Sequence, residues 1–207
     1  MARDLQISRC EWCLGSPEYV AYHDSEWGRP VVDETRLFEK ISLEGFQSGL
    51  SWITVLRKRE NFRTAFEGFE PDKVAMFTDR TVDALLLDAG IIRHRGKIEA
   101  VINNAKRFME LRDSGESLDD LVWRYADPAG KPTAPLARPI PAQTPQSLAL
   151  SKELKKRGWK FVGPTTMYAF MQSMGLVNDH ATGCHARITC EKERAETLRA
   201  RAAKNQK

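Results

Sequence analysis

The feature of this sequence that most constrains its fold is a helical spacing of apolar residues that recurs along most of the chain. After Asp33, a typical helix-capping residue, Leu37, Phe38 and Ile41 fall on one stripe. Similar patterns indicate helices within residues 51–66, 71–77, 78–90, 96–115, 117–126, 147–158 and 164–176. Because no stretch alternates polar and apolar residues as a strand does, the predicted fold class is mainly α.

Glycines and prolines predict where these helices end. Gly90 is expected to take the left-handed conformation after one helix, and Gly115 is expected to close the next. Six of the ten prolines lie from residue 128 to residue 145, which predicts an extended connection or a surface loop. Residues 187–207 are charged enough for a solvated helix or a disordered tail. We therefore expect one unit over residues 1–185, with two lobes sharing a core, and a charged tail over 186–207.

The ends of the chain and its cysteines bear on the compartment. The first residues, MARDLQISRCEW, lack the apolar run of a signal peptide, and no stretch approaches the ~18 apolar residues of a membrane span. A cytoplasmic protein without a membrane partner is predicted, and a monomer is expected. In that reducing compartment the four cysteines are expected to be free, catalytic or metal-bound rather than disulfide-bonded. The net charge of +4 favours a polyanionic partner only weakly.

Cysteine and histidine residues gather near both ends of the chain. Cys10 and Cys13 form a C-x-x-C pair, and the stretch VNDHATGCHA places His180, Cys184 and His185 within six positions. The four-residue spacing of His180 and Cys184 brings both side chains to one side of a helix or a tight turn. A metal site is one hypothesis, while a thioredoxin-like redox pair is less favoured because no βαβ pattern surrounds Cys10 and Cys13.

A basic segment joins two of the predicted helices. Two helices joined by a short turn expose backbone N–H groups at the second helix's N-terminus, where an anion is favoured, and flanking cations attract phosphate. This pattern favours a helix-hairpin-helix that grips a DNA backbone, although an ordinary helical hairpin with a solvated basic turn is an equal alternative. The candidate DNA-binding residues are Gly90, Arg93, His94, Arg95, Gly96 and Lys97.

One carboxylate falls where an apolar residue is expected. At about 100° per residue, Glu44 lies only ~20° around the helix from Leu37, on or beside the buried stripe. Such a group is either paired structurally, for example with a nearby arginine, or poised in a pocket. Hydrogen-bond donors would have to keep it ionised, and Gln47 or a backbone N–H are candidates.

Aromatic residues accompany this carboxylate in the sequence. Trp12, Tyr19, Tyr22 and Trp27 precede it and Trp52 follows it. Aromatic faces beside a carboxylate are suited to sandwich a flat base and to hydrogen-bond its edge, whereas each aromatic taken alone is more often a core residue.

These stretches together resemble the 3-methyladenine DNA glycosylase I family, bacterial enzymes that remove N3-alkylated purines. The resemblance extends over residues 9 to 185, and the segments that carry it are RCEW, YVAYHDSEWGRP, LFEKISLEGFQSGLSWITVLRKRENFR, DAGIIRHRGKIEAVINNAK, LSKELKKRGWKFVG and MQSMGLVNDHATGC. The resemblance implies a helix-hairpin-helix glycosylase fold with a zinc clip that joins the N- and C-terminal segments.

The resemblance also implies a zinc ion and its ligands. The family's four ligands fall on Cys10, His23, His180 and Cys184, a tetrahedral set closed to water and therefore structural. From the residues alone, Cys13 could replace His23 and His185 could compete with Cys184. Cys190 is expected to be a bystander.

The implied activity is hydrolysis of the N-glycosidic bond of 3-methyladenine in double-stranded DNA. Glu44, Tyr22 and Trp52 would line the pocket for the flipped base, and Leu50 is the candidate wedge that fills the gap. Free 3-methyladenine would be the product. 3-Methylguanine in DNA is a further candidate substrate. No strand cleavage and no lysine Schiff base are expected, and Asp113 falls in a surface turn rather than in a catalytic position.

Two other functions fit the residues. A non-enzymatic module would bind alkylated DNA without releasing a base. A metal-dependent hydrolase of a nucleoside or nucleotide would need an open coordination position, which a set of four protein ligands would not leave.

Overall fold

A computed structural model describes residues 7–128 and 140–204 of the chain. Over these residues the structure is helical and contains no strand, which confirms the mainly α prediction. Two short 3₁₀ segments span Glu11–Gly15 and Glu67–Phe69. The α-helices are α1 Pro17–Ser25, α2 Glu34–Gln47, α3 Trp52–Leu56, α4 Arg59–Ala65, α5 Pro71–Ala75, α6 Asp79–Leu87, α7 Arg95–Asp113, α8 Leu118–Trp123, α9 Pro145–Lys156, α10 Pro164–Ser173 and α11 Arg187–Lys204.

The chain divides into two compact units. The first contains Met1–Pro30, Ala126–Pro141 and Met171–Lys207, and the second contains Val31–Tyr125 and Ala142–Phe170. The prediction of one core shared by two lobes stays a prediction. Most of the predicted proline-rich connection, residues 129–139, lies outside the described residues.

The core of the second unit is built around α2. The Asp33 side chain accepts a hydrogen bond from the backbone N–H of Arg36 at 2.8 Å, and the stripe of Leu37, Phe38 and Ile41 is buried, as the sequence predicted. Further aromatic side chains, Phe46, Phe62, Phe66 and Phe69, are completely buried with it. Each such phenylalanine stabilises the fold by roughly 1.5–3 kcal/mol relative to an exposed one. This packing fixes the face of α2 that carries the candidate site.

The predicted helix ends are right at one glycine and wrong at another. Gly115 has a φ of 82° just after α7, as expected for a residue that closes a helix. Helix α6 instead ends at Leu87, and Gly90 is not among the residues with positive φ. The Asp88 side chain accepts the Gly90 N–H at 2.7 Å and makes the turn. A Cβ on Gly90 would lie 2.8 Å from Asp88 Oδ1, so a larger residue here would displace the side chain that makes the turn.

The charged C-terminal segment is a helix with buried positions. Within α11, Cys190 and Arg194 are buried, and Arg194 is completely inaccessible. Its guanidinium donates to the backbone carbonyl oxygen of Asp127 at 2.6 Å and pairs with Glu191 at 3.1 Å. The expectation of a solvated helix therefore holds only for the outer face of α11. On the inner face, these acceptors replace the water that the buried guanidinium loses.

No helix in the described part of the chain has the length and apolar character needed to span a membrane.

Candidate functional site

Four cysteine and histidine side chains meet inside the first unit. Cys10 precedes the first 3₁₀ segment, His23 lies on α1, and His180 and Cys184 lie between α10 and α11. Cys184 Sγ is 3.4 Å from His23 Nε2 and 3.5 Å from His180 Nδ1, while Cys10 Sγ is 3.7 Å from His180 Nδ1. All four side chains are buried, and their ligand atoms lie within 4.8 Å of one another.

These separations fit the edges of a zinc tetrahedron. Zinc bonds of about 2.3 Å to sulfur and 2.0–2.1 Å to nitrogen, set at tetrahedral angles, place sulfur and nitrogen ligands about 3.5 Å apart. The donor set of two thiols and two imidazoles is also one that zinc prefers. The geometry and the chemistry of the four residues therefore both suit zinc.

Hydrogen bonds orient both imidazoles toward the centre of the cluster. The Nδ1 of His23 lies 2.8 Å from Asp24 Oδ1, and the Nε2 of His180 lies 3.0 Å from the backbone carbonyl of Trp27. A carboxylate or carbonyl on the far nitrogen is the usual support of a metal-bound histidine. The Ala181 N–H also donates to Cys10 Sγ at 3.2 Å, a contact suited to a thiolate.

Burial sets the protonation of the cluster. Desolvation raises the pKa of the Cys10 thiol to about 12 and lowers the pKa of His180 to about 4. The hydrogen bond from Arg9, followed by those from His23 and His185, holds the pKa of Asp24 well below its ordinary range. The imidazoles are therefore neutral and able to donate an electron pair to a metal ion. The cysteines need a bound cation to stay as thiolates in this buried position.

The other two cysteines and His185 lie outside the four-residue cluster. Cys13 Sγ donates to the carbonyl oxygen of Cys10 at 3.0 Å and is not part of the four-residue cluster. His185 is exposed and contacts Asp24 Oδ1 through Nε2 at 2.9 Å. Cys190 Sγ lies 3.4 Å from His180 Nε2, the nitrogen that faces away from the cluster. The geometry thus favours the set with His23 and Cys184 over both alternatives.

Aromatic residues predicted to recognise a base come together in the first unit. The ring of Trp12 packs edge-on against Tyr19 at 5.6 Å and Tyr22 at 6.4 Å between centroids. It also contacts Trp27 at 5.0 Å and His23 at 5.5 Å. This aromatic group therefore packs directly on one of the cluster's imidazoles.

Glu44 is buried on α2 and paired with a residue that the sequence analysis missed. Lys40 Nζ lies 2.8 Å from Glu44 Oε1, and the two side chains are 7% and 4% exposed. The same ammonium lies 3.3 Å from the centroid of the Trp52 ring. The partner of Glu44 is thus Lys40 rather than Gln47 or an arginine. The i,i+4 spacing was the available signal, but it is also common on solvated helix faces.

A cleft of about 190 Å³ opens beside Glu44 in the second unit. One wall is the end of α2 and the following turn, where Ser48 caps the helix and Leu50 is 42% exposed. The lining residues are Glu44, Gln47, Ser48, Gly49 and Leu50 on this wall, with Thr165, Thr166 and Ala169 of α10 opposite. Two predicted site residues, Gln47 and Leu50, therefore share a cleft with the buried carboxylate.

The basic turn between α6 and α7 presents fewer cations than the sequence suggested. Arg93 is exposed, and the His94 side chain caps α7 by accepting the Lys97 N–H at 3.2 Å. Arg95 forms an ion pair with Asp83. Lys97 is buried, and its Nζ donates to the carbonyl oxygens of Phe46 at 2.9 Å and Ser48 at 2.6 Å.

The contact of Lys97 with phosphate stays a prediction, and in this structure its ammonium is occupied by two backbone carbonyl oxygens. Its ammonium caps the C-terminus of α2, where unpaired carbonyls attract a cation. Desolvation lowers the pKa of Lys97, as expected for a buried amine. The sequence could not reveal this contact because 49 residues separate Lys97 from Ser48.

Comparisons with known proteins agree with this helical architecture. The methyladenine glycosylase family profile matches residues 12–187. The DNA-3-methyladenine glycosylase 1 of Escherichia coli (strain K12) is 53% identical over 179 residues, which cover 86% of this chain and 96% of that protein. The DNA-3-methyladenine glycosylase of Haemophilus influenzae (strain ATCC 51907 / DSM 11121 / KW20 / Rd) is 50% identical, with the same coverage of both chains.

Solved structures give the same result. A crystal structure of 3-methyladenine DNA glycosylase I superposes with a TM-score of 0.82 at 52% identity and covers 87% of this chain and all of that one. A variant of such an enzyme in complex with 3-methyladenine gives a TM-score of 0.81 at 34% identity, covering 86% of this chain and 97% of that one. The fold and these matches together define a helical protein of the DNA glycosylase class. The chain belongs to the methyladenine glycosylase family.

Proposed function

We propose that this protein is a base-excision repair enzyme that hydrolyses the N-glycosidic bond of 3-methyladenine in alkylated DNA. The observation that carries the proposal is the buried carboxylate of Glu44, which lines a cleft in a chain of the methyladenine glycosylase family. Relatives that are 50–53% identical carry the name of this activity, and one related structure holds 3-methyladenine.

Glu44 and the aromatic residues recognise the extruded base in this proposal. A base inside a duplex is inaccessible, so the damaged nucleotide flips out of the stack. Glu44 accepts a hydrogen bond from the adenine amino group, and Trp52 supplies an aromatic contact. Tyr22, with Tyr19 and Trp12 packed beside it, is assigned to base stacking on the family resemblance.

The chemistry requires little assistance from the protein. N3 methylation places a positive charge on the purine, so the bond to the sugar is weak and the base departs neutral. Water then adds to the sugar, and no covalent enzyme intermediate forms. Because the ammonium of Lys97 is committed to two carbonyl oxygens, it is not available as a Schiff-base nucleophile.

DNA contacts are assigned to two turns. One follows α2 and lines the cleft, and the other precedes α7. Leu50 is the proposed wedge, since a leucine that is 42% exposed beside the cleft is suited to fill the gap left by a flipped base. The turn before α7, with its glycines and Arg93, is proposed as a helix-hairpin-helix that holds the phosphate backbone. His94 is proposed to contribute to DNA binding by shaping the turn, because it caps α7, and Arg95 by its positive charge.

We infer that Cys10, His23, His180 and Cys184 hold one structural zinc ion. Support comes from sulfur–nitrogen separations of 3.4–3.7 Å and from the hydrogen bonds that orient both imidazoles. When bound, the ion supplies a cross-link between the two ends of the chain and no chemistry. Four protein ligands leave no open position, which disfavours a metal-dependent hydrolase. Thiolate ligands fit a reducing compartment, so we propose that the protein is cytoplasmic. We also propose that it is a monomer.

Release of bases from methylated duplex DNA tests the function. Free bases are separated by chromatography and identified by mass spectrometry. We expect 3-methyladenine to be released while 7-methylguanine remains in the DNA. A folded, zinc-loaded sample that binds the DNA but releases no base would reject the enzyme and leave the non-enzymatic binding module.

A further inference from the structure

The ammonium of Lys40 makes the two contacts that a cationic base would seek in this site. It lies 2.8 Å from the carboxylate of Glu44 and 3.3 Å from the centroid of Trp52, so it pairs with the acid and covers one face of the ring. Lys40 and Glu44 lie one turn apart on α2, and both side chains are buried.

This pair differs from an ordinary i,i+4 pair. Exposed pairs of this spacing add only about 0.3–0.5 kcal/mol, whereas a buried pair bears a desolvation cost that apolar side chains of the same size would avoid. A buried pair of which one member, Glu44, lines a cleft is therefore weak evidence for stability and directs attention to what the cleft binds.

We propose that Lys40 is a specificity-determining residue that acts through Glu44 and Trp52. Its positive charge offsets the negative charge of Glu44, so the pair carries no net charge and does not hold the cationic precursor in preference to the neutral departing base. This inference rests on the proposed function.

The charge balance of the reaction explains why this arrangement helps. In the N3-methylated nucleotide the purine carries one positive charge. When the C1′–N9 bond breaks, its electron pair stays with N9, the base becomes neutral and the sugar becomes cationic. Water adds to C1′ and releases one proton to solvent. An acid alone would hold the cationic ground state most tightly, whereas the Lys40–Glu44 pair removes that preference, so less binding energy is lost as the base becomes neutral.

Charge variants at the two positions test the proposal with two small-molecule probes. Neutral 3-methyladenine and the permanently cationic 3,9-dimethyladeninium ion are titrated in mildly alkaline buffer by calorimetry. The quantity compared is the ratio of cation affinity to neutral-base affinity. The variants are Lys40→Met, Lys40→Arg, Glu44→Gln and the double variant Lys40→Met/Glu44→Gln. Lys106→Met, which removes an exposed charge from α7, is the matched control.

The expected ratios follow from the net charge of the site. Lys40→Met raises the ratio about tenfold, as expected for a unit charge several ångströms away at intermediate dielectric. Glu44→Gln lowers it by a similar factor, and the double variant returns to the wild-type ratio. Lys40→Arg and Lys106→Met leave the ratio unchanged. Lys40→Met also slows single-turnover excision, because it stabilises the bound cation.

A ratio that is the same in wild type and Lys40→Met overturns the proposal and leaves Lys40 a structural partner of Glu44. If Lys40→Met loses affinity for both probes by the same factor, the ratio is unchanged and the proposal is likewise overturned. If Lys40→Met does not fold, Lys40→Arg and Glu44→Gln decide, because the proposal requires the former to keep the ratio and the latter to lower it. Failure of the wild-type protein to release 3-methyladenine would instead reject the proposed function itself.

Discussion

Glu44 shows how far a single position can be interpreted from sequence. Its place ~20° from Leu37 around the helix predicted a carboxylate at the buried stripe, and it is indeed 5% exposed. The partner was not predictable, because Lys40 occupies the same kind of position and its i,i+4 spacing is shared by many solvated pairs. Which of two polar residues on one stripe faces a cleft depends on α10, which lies more than a hundred residues along the chain.

At the residue scale, Glu44→Gln is expected to keep the fold and weaken binding of free 3-methyladenine about 10- to 100-fold. The amide has the same size and still accepts from Lys40, but the charge-assisted hydrogen bond to the base is lost. Calorimetric titration measures the effect, with the exposed Glu110→Gln of α7 as the control. Unchanged affinity would remove Glu44 from the recognition role.

The elements of the fold were predictable in kind, and some of their ends were predictable as well. Capping by Asp33 and termination after α7 at Gly115 follow local rules, and the structure confirms both. Helix α6 ends before Gly90 because the Asp88 side chain makes the turn, a competition between two local signals. The contact of Lys97 with the end of α2 is tertiary, so the sequence could only suggest an exposed cation.

At the element scale, Lys97 and Arg93 are expected to give opposite results. Lys97→Met lowers the free energy of unfolding by about 2 kcal/mol or more, because the α2 carbonyl oxygens lose a charged donor, and leaves the salt dependence of DNA binding unchanged. Arg93→Gln leaves stability unchanged and reduces the slope of log affinity against log salt by about 1. Urea unfolding and binding titrations at several salt concentrations measure these quantities. A reduced salt slope for Lys97→Met with full stability would restore Lys97 as a phosphate ligand.

At the scale of the whole molecule, residues far apart in sequence are joined in ways that spacing alone left open. Cys10 and Cys184 lie at opposite ends of the chain, and only the family resemblance selected His23 over Cys13 as the fourth ligand. Arg194 was expected on a charged tail, but it is fully buried against the carbonyl of Asp127. Charge predicts exposure in general, whereas buried acceptors decide the exception.

Zinc content tests the proposed clip. We expect one zinc ion per chain in the wild type and in Cys13→Ala, and its loss in Cys184→Ser together with a melting temperature lower by several degrees, because metal binding contributes directly to folding. Elemental analysis and thermal unfolding of the three proteins give the comparison. Zinc lost from Cys13→Ala would instead support the set in which Cys13 replaces His23, and zinc retained by Cys184→Ser would support His185 in place of Cys184.

The central claim is that this protein releases 3-methyladenine from DNA by simple hydrolysis, and quantitative product analysis of methylated duplex DNA tests it most directly. We expect each free 3-methyladenine to be matched by one abasic site, with the strand intact. Recovery of no free base, of cleaved strands, or of DNA covalently attached to the protein after borohydride treatment would contradict the account.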